Sequence, residues 1–128
     1  MIAVLNVRES AYIPASGDSA DRKPIPVLTV SGRLDASTVH VLERALMRAL
    51  SQDTRAVVVD AAEITYISSS GLRVLLAARR QIRERGGDIL LCSLPPNVRD
   101  VMNMVGFTAL FSIFENSDAA KQAAADMY

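Results

Sequence analysis

Apolar positions along the chain change period several times, and each change marks a different element. Short runs of β-branched and aliphatic residues predict strands over 2–7, 27–30, 56–59, 88–92 and 110–114. The third run, AVVV, contains no polar residue, which is typical of a central strand buried on both faces. The pattern therefore predicts a sheet whose middle is fully covered.

Between these runs the apolar residues recur every three or four positions, as they do on one face of an amphipathic helix. This spacing predicts helices over 35–50, 72–85 and 95–105, and an alanine-rich stretch predicts a closing helix over 117–127. Strands that alternate with helices need crossover connections. We therefore expect an α/β fold, with a mixed, mainly parallel sheet of about five strands packed with about four helices.

One stretch interrupts this alternation. Residues 12–26 contain three prolines, one glycine and two aspartates, a composition that favours an exposed loop. Half of all residues are apolar, which is enough for a core in a chain of this length. The chain is therefore expected to be a single domain over 1–128, with the 12–26 loop as an insertion.

Composition and charge narrow the classes of function. Lys and Arg together number 14, as do Asp and Glu, so no basic excess favours nucleic acid, and three Tyr and three Phe are too few for a base-stacking platform. No apolar stretch approaches the ~18 residues that span a bilayer, and the N-terminal residues lack the features of a signal peptide. A single cysteine, Cys92, within an apolar run predicts a buried thiol in a cytoplasmic protein.

The run Ser68-Ser69-Ser70-Gly71-Leu72 is the strongest chemical signal in the chain. It follows the apolar central strand and a short loop, and it precedes the second helical segment. Serine side chains at a loop-to-helix junction lie beside unpaired backbone N–H groups, which suits a helix cap and also an anion. A serine here can be a plain cap, a nucleophile or a phosphorylation site.

Catalytic and metal-binding alternatives have little support. The nucleophile elbow of the α/β-hydrolases needs a glycine where this chain has Ser68, and the sole histidine, His40, precedes the serines instead of following them. A triad would have to combine His40 with Asp35 or Asp60. Metal-ligand spacings and glycine-rich phosphate loops are missing from the sequence, so we expect no metal, no cofactor and no enzymatic activity.

The surplus of hydroxyls favours a phosphorylation switch slightly over a plain cap, because one cap needs only one hydroxyl. A phosphate adds nearly two negative charges and strong hydrogen-bond acceptors. A helix N-terminus tolerates such a group. A partner docked over the same spot would be displaced by its charge and bulk.

Five segments, in order along the chain, carry a family resemblance: residues 30–36 (VSGRLDA), 56–67 (AVVVDAAEITYI), 69–72 (SSGL), 86–92 (GGDILLC) and 98–107 (VRDVMNMVGF). Together they resemble the STAS domain and, within it, the bacterial anti-sigma-factor antagonists. The resemblance covers nearly the whole chain. It implies a STAS-type fold with a mixed sheet backed by helices.

The resemblance also implies a partner switch. Antagonists of this family bind, when unphosphorylated, an anti-sigma factor that is also a serine kinase, and the sigma factor is released. Phosphorylation of the serine directly before the loop glycine, Ser70 here, ends binding until a serine phosphatase restores it. The protein would then be a cytoplasmic ligand and substrate, a monomer or weak dimer without membrane insertion or direct nucleic-acid contact. The residues implied at the partner surface are Asp35, Ser68, Ser69, Gly71 and Leu72.

Two departures from the family pattern stand out. The family usually has an aspartate where this chain has Ser68, so a negative charge beside the phosphoacceptor is missing. The loop over 12–26 is longer than usual, and we expect it beside the partner surface, as a specificity element or as a neutral insertion. An alternative function is a STAS scaffold or adaptor in a signalling complex, in which Ser70 is never modified.

Overall fold

The computed structural model describes residues 4–14, 23–51 and 53–128. Its strands are β1 (Leu5–Tyr12), β2 (Ile25–Leu34), β3 (Ala56–Ile67), β4 (Asp88–Cys92) and β5 (Ser112–Phe114). Its helices are α1 (Val39–Leu50), α2 (Ser69–Arg83), α3 (Pro96–Met104) and α4 (Ser117–Ala125), and a short 3₁₀ turn covers Phe107–Ala109. The predicted order of elements is confirmed.

The five strands form one mixed sheet in the order β1-β2-β3-β4-β5. β1 runs antiparallel to β2, and each of the other neighbouring pairs is parallel. The predicted fold class is confirmed. Because β2 and β3 are parallel, their carboxyl ends meet at one end of the sheet, where Leu34 lies opposite Ile67.

Helices cover both faces of the sheet, a choice that periodicity alone left open. The larger core cluster joins α1, α2 and α3 to one face and includes Leu42, Val57 and Met102. The smaller cluster places Ala120 and Ala124 of α4 on the other face. β3 contributes Val57 and Val59 to the first cluster and Ala56 and Val58 to the second, which explains its unbroken apolar run.

The hairpin between β1 and β2 begins and ends differently from the predicted loop. Tyr12 belongs to β1 and pairs with Ile25, and Pro26 pairs with Ala11, so both ends of the expected 12–26 loop are strand. Pro26 fits in β2 because pairing with β3 begins only at Val27, so its missing N–H removes no bond to that neighbour. Residues 15–22 lie outside the described part of the chain.

The position of this connection also corrects the sequence interpretation. It joins the end of β1 to the start of β2, whereas the serine run follows the far end of β3. β2 has 10 residues, which extend over about 33 Å. The described residues at both ends of this connection therefore lie at the end of the sheet opposite the serines, whereas the sequence interpretation placed the loop beside the partner surface.

The two described ends of the chain also lie at opposite ends of the sheet. Leu5 at the start of β1 pairs with Gly32 near the carboxyl end of β2. Tyr128 reaches the beginning of β3, where its hydroxyl accepts from the Arg55 backbone N–H at 2.8 Å and lies 2.9 Å from the Thr54 hydroxyl. The C-terminal residue thus closes the end from which β3 begins.

Candidate functional site

The serine run is held in place by backbone hydrogen bonds from the end of the sheet. Ser68 has extended backbone angles, and its N–H donates to the Leu34 carbonyl at 2.9 Å. Its own carbonyl accepts from the Leu72 N–H at 3.1 Å, the first bond of α2. The start of α2 is therefore fixed directly against the end of β2. We call the rim the surface formed here by residues 33–35 and 66–70.

Gly71 and Leu72 pack beneath the rim. A Cβ atom on Gly71 would lie 2.7 Å from Cγ of Leu34 and 3.1 Å from Cγ1 of Ile67, so a larger residue does not fit without movement. Leu72 is only 4 % exposed and belongs to the core. These two residues thus position the helix, and the predicted partner contact through Leu72 does not fit a side chain that is buried.

The three serines differ in accessibility. The Ser68 hydroxyl is buried and has no hydrogen-bond partner among the described residues. Ser70 is half-buried, and Ser69 is exposed. Ser68 occupies the N-cap position of α2 but makes no side-chain cap hydrogen bond, so the run is not explained as a plain cap.

Asp35 organises the turn that leads from β2 into α1. Its carboxylate accepts hydrogen bonds from the Ser37 backbone N–H at 2.9 Å and from the Ser37 hydroxyl at 2.7 Å. These bonds, led by the one from the Ser37 side chain, hold the pKa of Asp35 below its ordinary value. The turn delays α1, which begins at Val39 and not at the predicted residue 35, and it keeps Asp35 on the rim.

Sequence reasoning missed a second pair of rim residues, Arg33 and Tyr66. The Arg33 guanidinium lies over the Tyr66 ring at 4.2 Å from its centroid, and its Nε is 3.5 Å from Asp35 Oδ2. Tyr66 remains 40 % exposed. The only available signal was positional, because each residue precedes the last residue of a strand and the two strands are parallel neighbours.

The described residues offer no support for catalysis at this site. His40 lies exposed on the first turn of α1, and within the described ranges it makes no hydrogen bond to any of the three serines. No group of three or more potential metal ligands occurs in those ranges either. Cys92 is fully buried, and burial raises its thiol pKa to about 11, which keeps it protonated and unreactive.

Comparison with known proteins gives a consistent picture. The family model described as "STAS domain" matches residues 18–120. BtrV of Bordetella bronchiseptica is 34% identical over 97 residues, which cover 76% of this chain and 84% of BtrV. The anti-sigma F factor antagonist of Paenibacillus polymyxa is 25% identical over 91 residues, or 70% of this chain and 78% of that protein.

Solved structures agree on the fold. The unphosphorylated form of the anti-sigma factor antagonist SpoIIAA superposes with a TM-score of 0.66 at 17% identity, covering 89% of this chain and 96% of that one. The phosphorylated form of the Bacillus SpoIIAA superposes with a TM-score of 0.60 at 16% identity, covering 89% of this chain and 99% of that one. In the part of the chain that the structure describes, no helix has the length and apolar character needed to cross a membrane.

Proposed function

This chain belongs to the STAS domain family, and we propose that it is an anti-sigma-factor antagonist switched by serine phosphorylation. The observation that carries the proposal is the Ser69–Ser70 pair on the rim. These residues are the first two of α2, and the N-cap residue before them, Ser68, makes no side-chain cap hydrogen bond but is fixed through its backbone to Leu34. The names of the sequence relatives supply the class of partner, an anti-sigma factor.

The proposed switch acts by electrostatics at the rim. Unphosphorylated, the rim binds an anti-sigma factor that also has serine-kinase activity, and the sigma factor is freed. A phosphoryl group adds about −1.5 to −2 charges at neutral pH. The N-terminal end of α2 stabilises this charge, so the domain stays folded, whereas a partner that must desolvate it at an interface loses affinity. A serine phosphatase then restores binding.

The acceptor is one hydroxyl of the serine pair. The family resemblance predicts Ser70, the residue before Gly71. Accessibility favours Ser69, because Ser69 is exposed and Ser70 is half-buried. The buried Ser68 hydroxyl is the least accessible of the three. Mapping the modified residue therefore has to resolve adjacent positions.

In this proposal the protein is a ligand and a substrate rather than an enzyme. It acts in the cytoplasm, where sigma factors meet RNA polymerase. The kinase supplies the phosphoryl donor and the catalytic base, so the rim needs no catalytic group of its own. Asp35, Arg33 and Tyr66 would form the part of the docking surface that does not change on phosphorylation.

The test is site-resolved mass spectrometry of the protein isolated from its own host with phosphatases inhibited. We expect one added phosphoryl group on Ser69 or Ser70. Protein carrying Ser69→Ala and Ser70→Ala together should stay unmodified and should retain its kinase in a capture experiment. A chain with no phosphate under any growth or stress condition would contradict the switch and favour an unmodified STAS scaffold.

A further inference from the structure

Arg73 lies on the exposed side of α2, one turn after the serine pair. It is exposed, and within the described residues it makes no hydrogen bond and no ion pair. The first turn of α2 contains no acidic residue that could compete for it. An unpaired guanidinium this close to a proposed phosphorylation site needs an explanation.

The helix places Arg73 on the same face as both candidate serines. It follows Ser69 by four residues and Ser70 by three, and residues with these spacings are neighbours on a helix, with Cβ atoms about 5–6 Å apart. An arginine side chain spans that distance. The fork of its guanidinium matches the oxygen atoms of a phosphate and allows two parallel hydrogen bonds.

We propose that Arg73 binds the phosphoryl group in cis once either serine of the pair is phosphorylated. This inference rests on the proposed function and specifies how its switch works. Phosphorylation then changes the rim twice, because it adds a dianion and also removes a free cation from the surface that a partner meets. The second change follows from this chain's own arginine and does not depend on which of the two serines is modified.

Arg33, the arginine of the rim itself, is less suited to this role. Its guanidinium is already placed over the Tyr66 ring and beside the Asp35 carboxylate. Moving it to a phosphate would break both contacts. Arg73 has no such contacts to break. The nearby acidic group is Glu43 of α1, which lines the same groove as Val74, the residue after Arg73.

The experiment needs neither kinase nor partner. Phosphoserine is incorporated genetically at position 69 and, separately, at position 70, and the phosphate is titrated by ³¹P NMR. Its second pKa is normally about 6, and a bound arginine lowers it. Arg73→Gln should raise this pKa by roughly 0.3 unit or more, the size expected for an exposed ion pair.

The matched control is Arg80→Gln on the same helix. Arg80 is exposed and lies ten residues after Ser70, about 15 Å along the axis, where salt screens most of its effect. It should change the phosphate pKa by less than about 0.1 unit. Arg73→Lys should fall between the wild type and Arg73→Gln, since it keeps the charge and loses the fork.

Equal pKa values in the Arg73→Gln and Arg80→Gln proteins would overturn the proposal at both phosphoserine positions. Asp35 of the rim and His40 and Glu43 of α1 are the other ionisable groups on the elements next to this part of α2, so the signal is read at phosphorus. The same titration is repeated with His40→Gln as a second control. Since the phosphate is introduced without a kinase, a negative result here leaves the mass-spectrometric test of phosphorylation unaffected.

Discussion

At the residue scale, Asp35 combines a structural role in the turn before α1 with a proposed role at the partner surface. Its carboxylate closes the turn before α1 by accepting from both the backbone and the hydroxyl of Ser37. Arg33 adds a weaker contact at 3.5 Å. The charged form is favoured in the folded protein, which ties the stability of this turn to pH.

We expect the stability lost in Asp35→Asn to depend on pH in a defined direction. The pKa of Asp35 is lowered below 3.8 on folding, so its charge stabilises the fold above that value and loses this effect as pH falls through the folded pKa. Asparagine keeps an acceptor for the Ser37 N–H but carries no charge. Urea unfolding should give a larger free energy of unfolding for the wild type than for the variant at pH 7, and the difference should disappear below about pH 4. A gap that is constant across this range would contradict the assignment.

The site was only partly predictable at this scale. The run from Ser68 to Leu72 identified the helix start because its chemistry is local in sequence. The stacking of Arg33 on Tyr66 was not predictable, because it depends on the register of two strands that shift against each other between Gly32 and Arg33. The exposure of Ser69 relative to Ser70 likewise depends on how α2 meets the sheet.

At the element scale, the far end of α2 is anchored by a partly buried ionic cluster. Asp88 at the start of β4 is 8 % exposed and accepts from the Ser112 hydroxyl at 3.0 Å. Arg79 and Arg83 of α2 approach the same carboxylate at 3.7 and 3.8 Å. The helix that carries the serine pair is therefore fixed at both ends, by the sheet at one and by charge at the other.

Removing the Asp88 carboxylate should lower the free energy of unfolding more than removing an exposed carboxylate does, even when the exposed one has the shorter ion pair. Asp88→Ala leaves Arg79 without its counter-ion and the Ser112 hydroxyl without its acceptor in a poorly solvated place, and we expect a loss of about 2–3 kcal/mol in the free energy of unfolding. Asp53→Ala is the control, since Asp53 lies 2.8 Å from Lys23 but is 95 % exposed. Its loss in urea unfolding should be clearly smaller, because solvent and salt screen an exposed pair. Equal losses would show that the buried position of the cluster contributes nothing.

The elements themselves were largely predictable, and their boundaries were not. Prolines in the 12–26 segment favoured a loop, yet Tyr12, Ile25 and Pro26 belong to strands because pairing across the hairpin and burial under α4 outweigh local preference. The helix order followed from periodicity. The face of the sheet that each helix covers did not follow from periodicity. An amphipathic pattern shows that one side of a helix is buried, but it does not show which surface buries it.

At the scale of the whole molecule, one sheet with helices on both faces separates two apolar clusters and connects them. The two apolar clusters share β3, whose alternate residues enter one or the other. The C-terminal Tyr128 is tied to the residues before β3. Local opening of one layer would therefore expose apolar surface of the strand at the centre.

This architecture predicts a single cooperative unfolding transition. The three tyrosines report on separate regions, with Tyr66 on the rim, Tyr12 in the cluster under α4 and Tyr128 before β3. Tyrosine fluorescence and far-ultraviolet circular dichroism should therefore give the same urea midpoint, with an unfolding free energy of about 5–15 kcal/mol. An earlier transition seen only by fluorescence would contradict a single cooperative unit.

The antiparallel first strand has a practical consequence for anyone who attaches this protein to a surface. β1 starts opposite Gly32, two residues from Leu34, so a purification tag fused ahead of β1 is attached at the rim end of the sheet. A tag placed after Tyr128 emerges at the other end of the sheet. Immobilisation through the C-terminal end should leave the rim free for capture, whereas an N-terminal tether should obstruct it sterically.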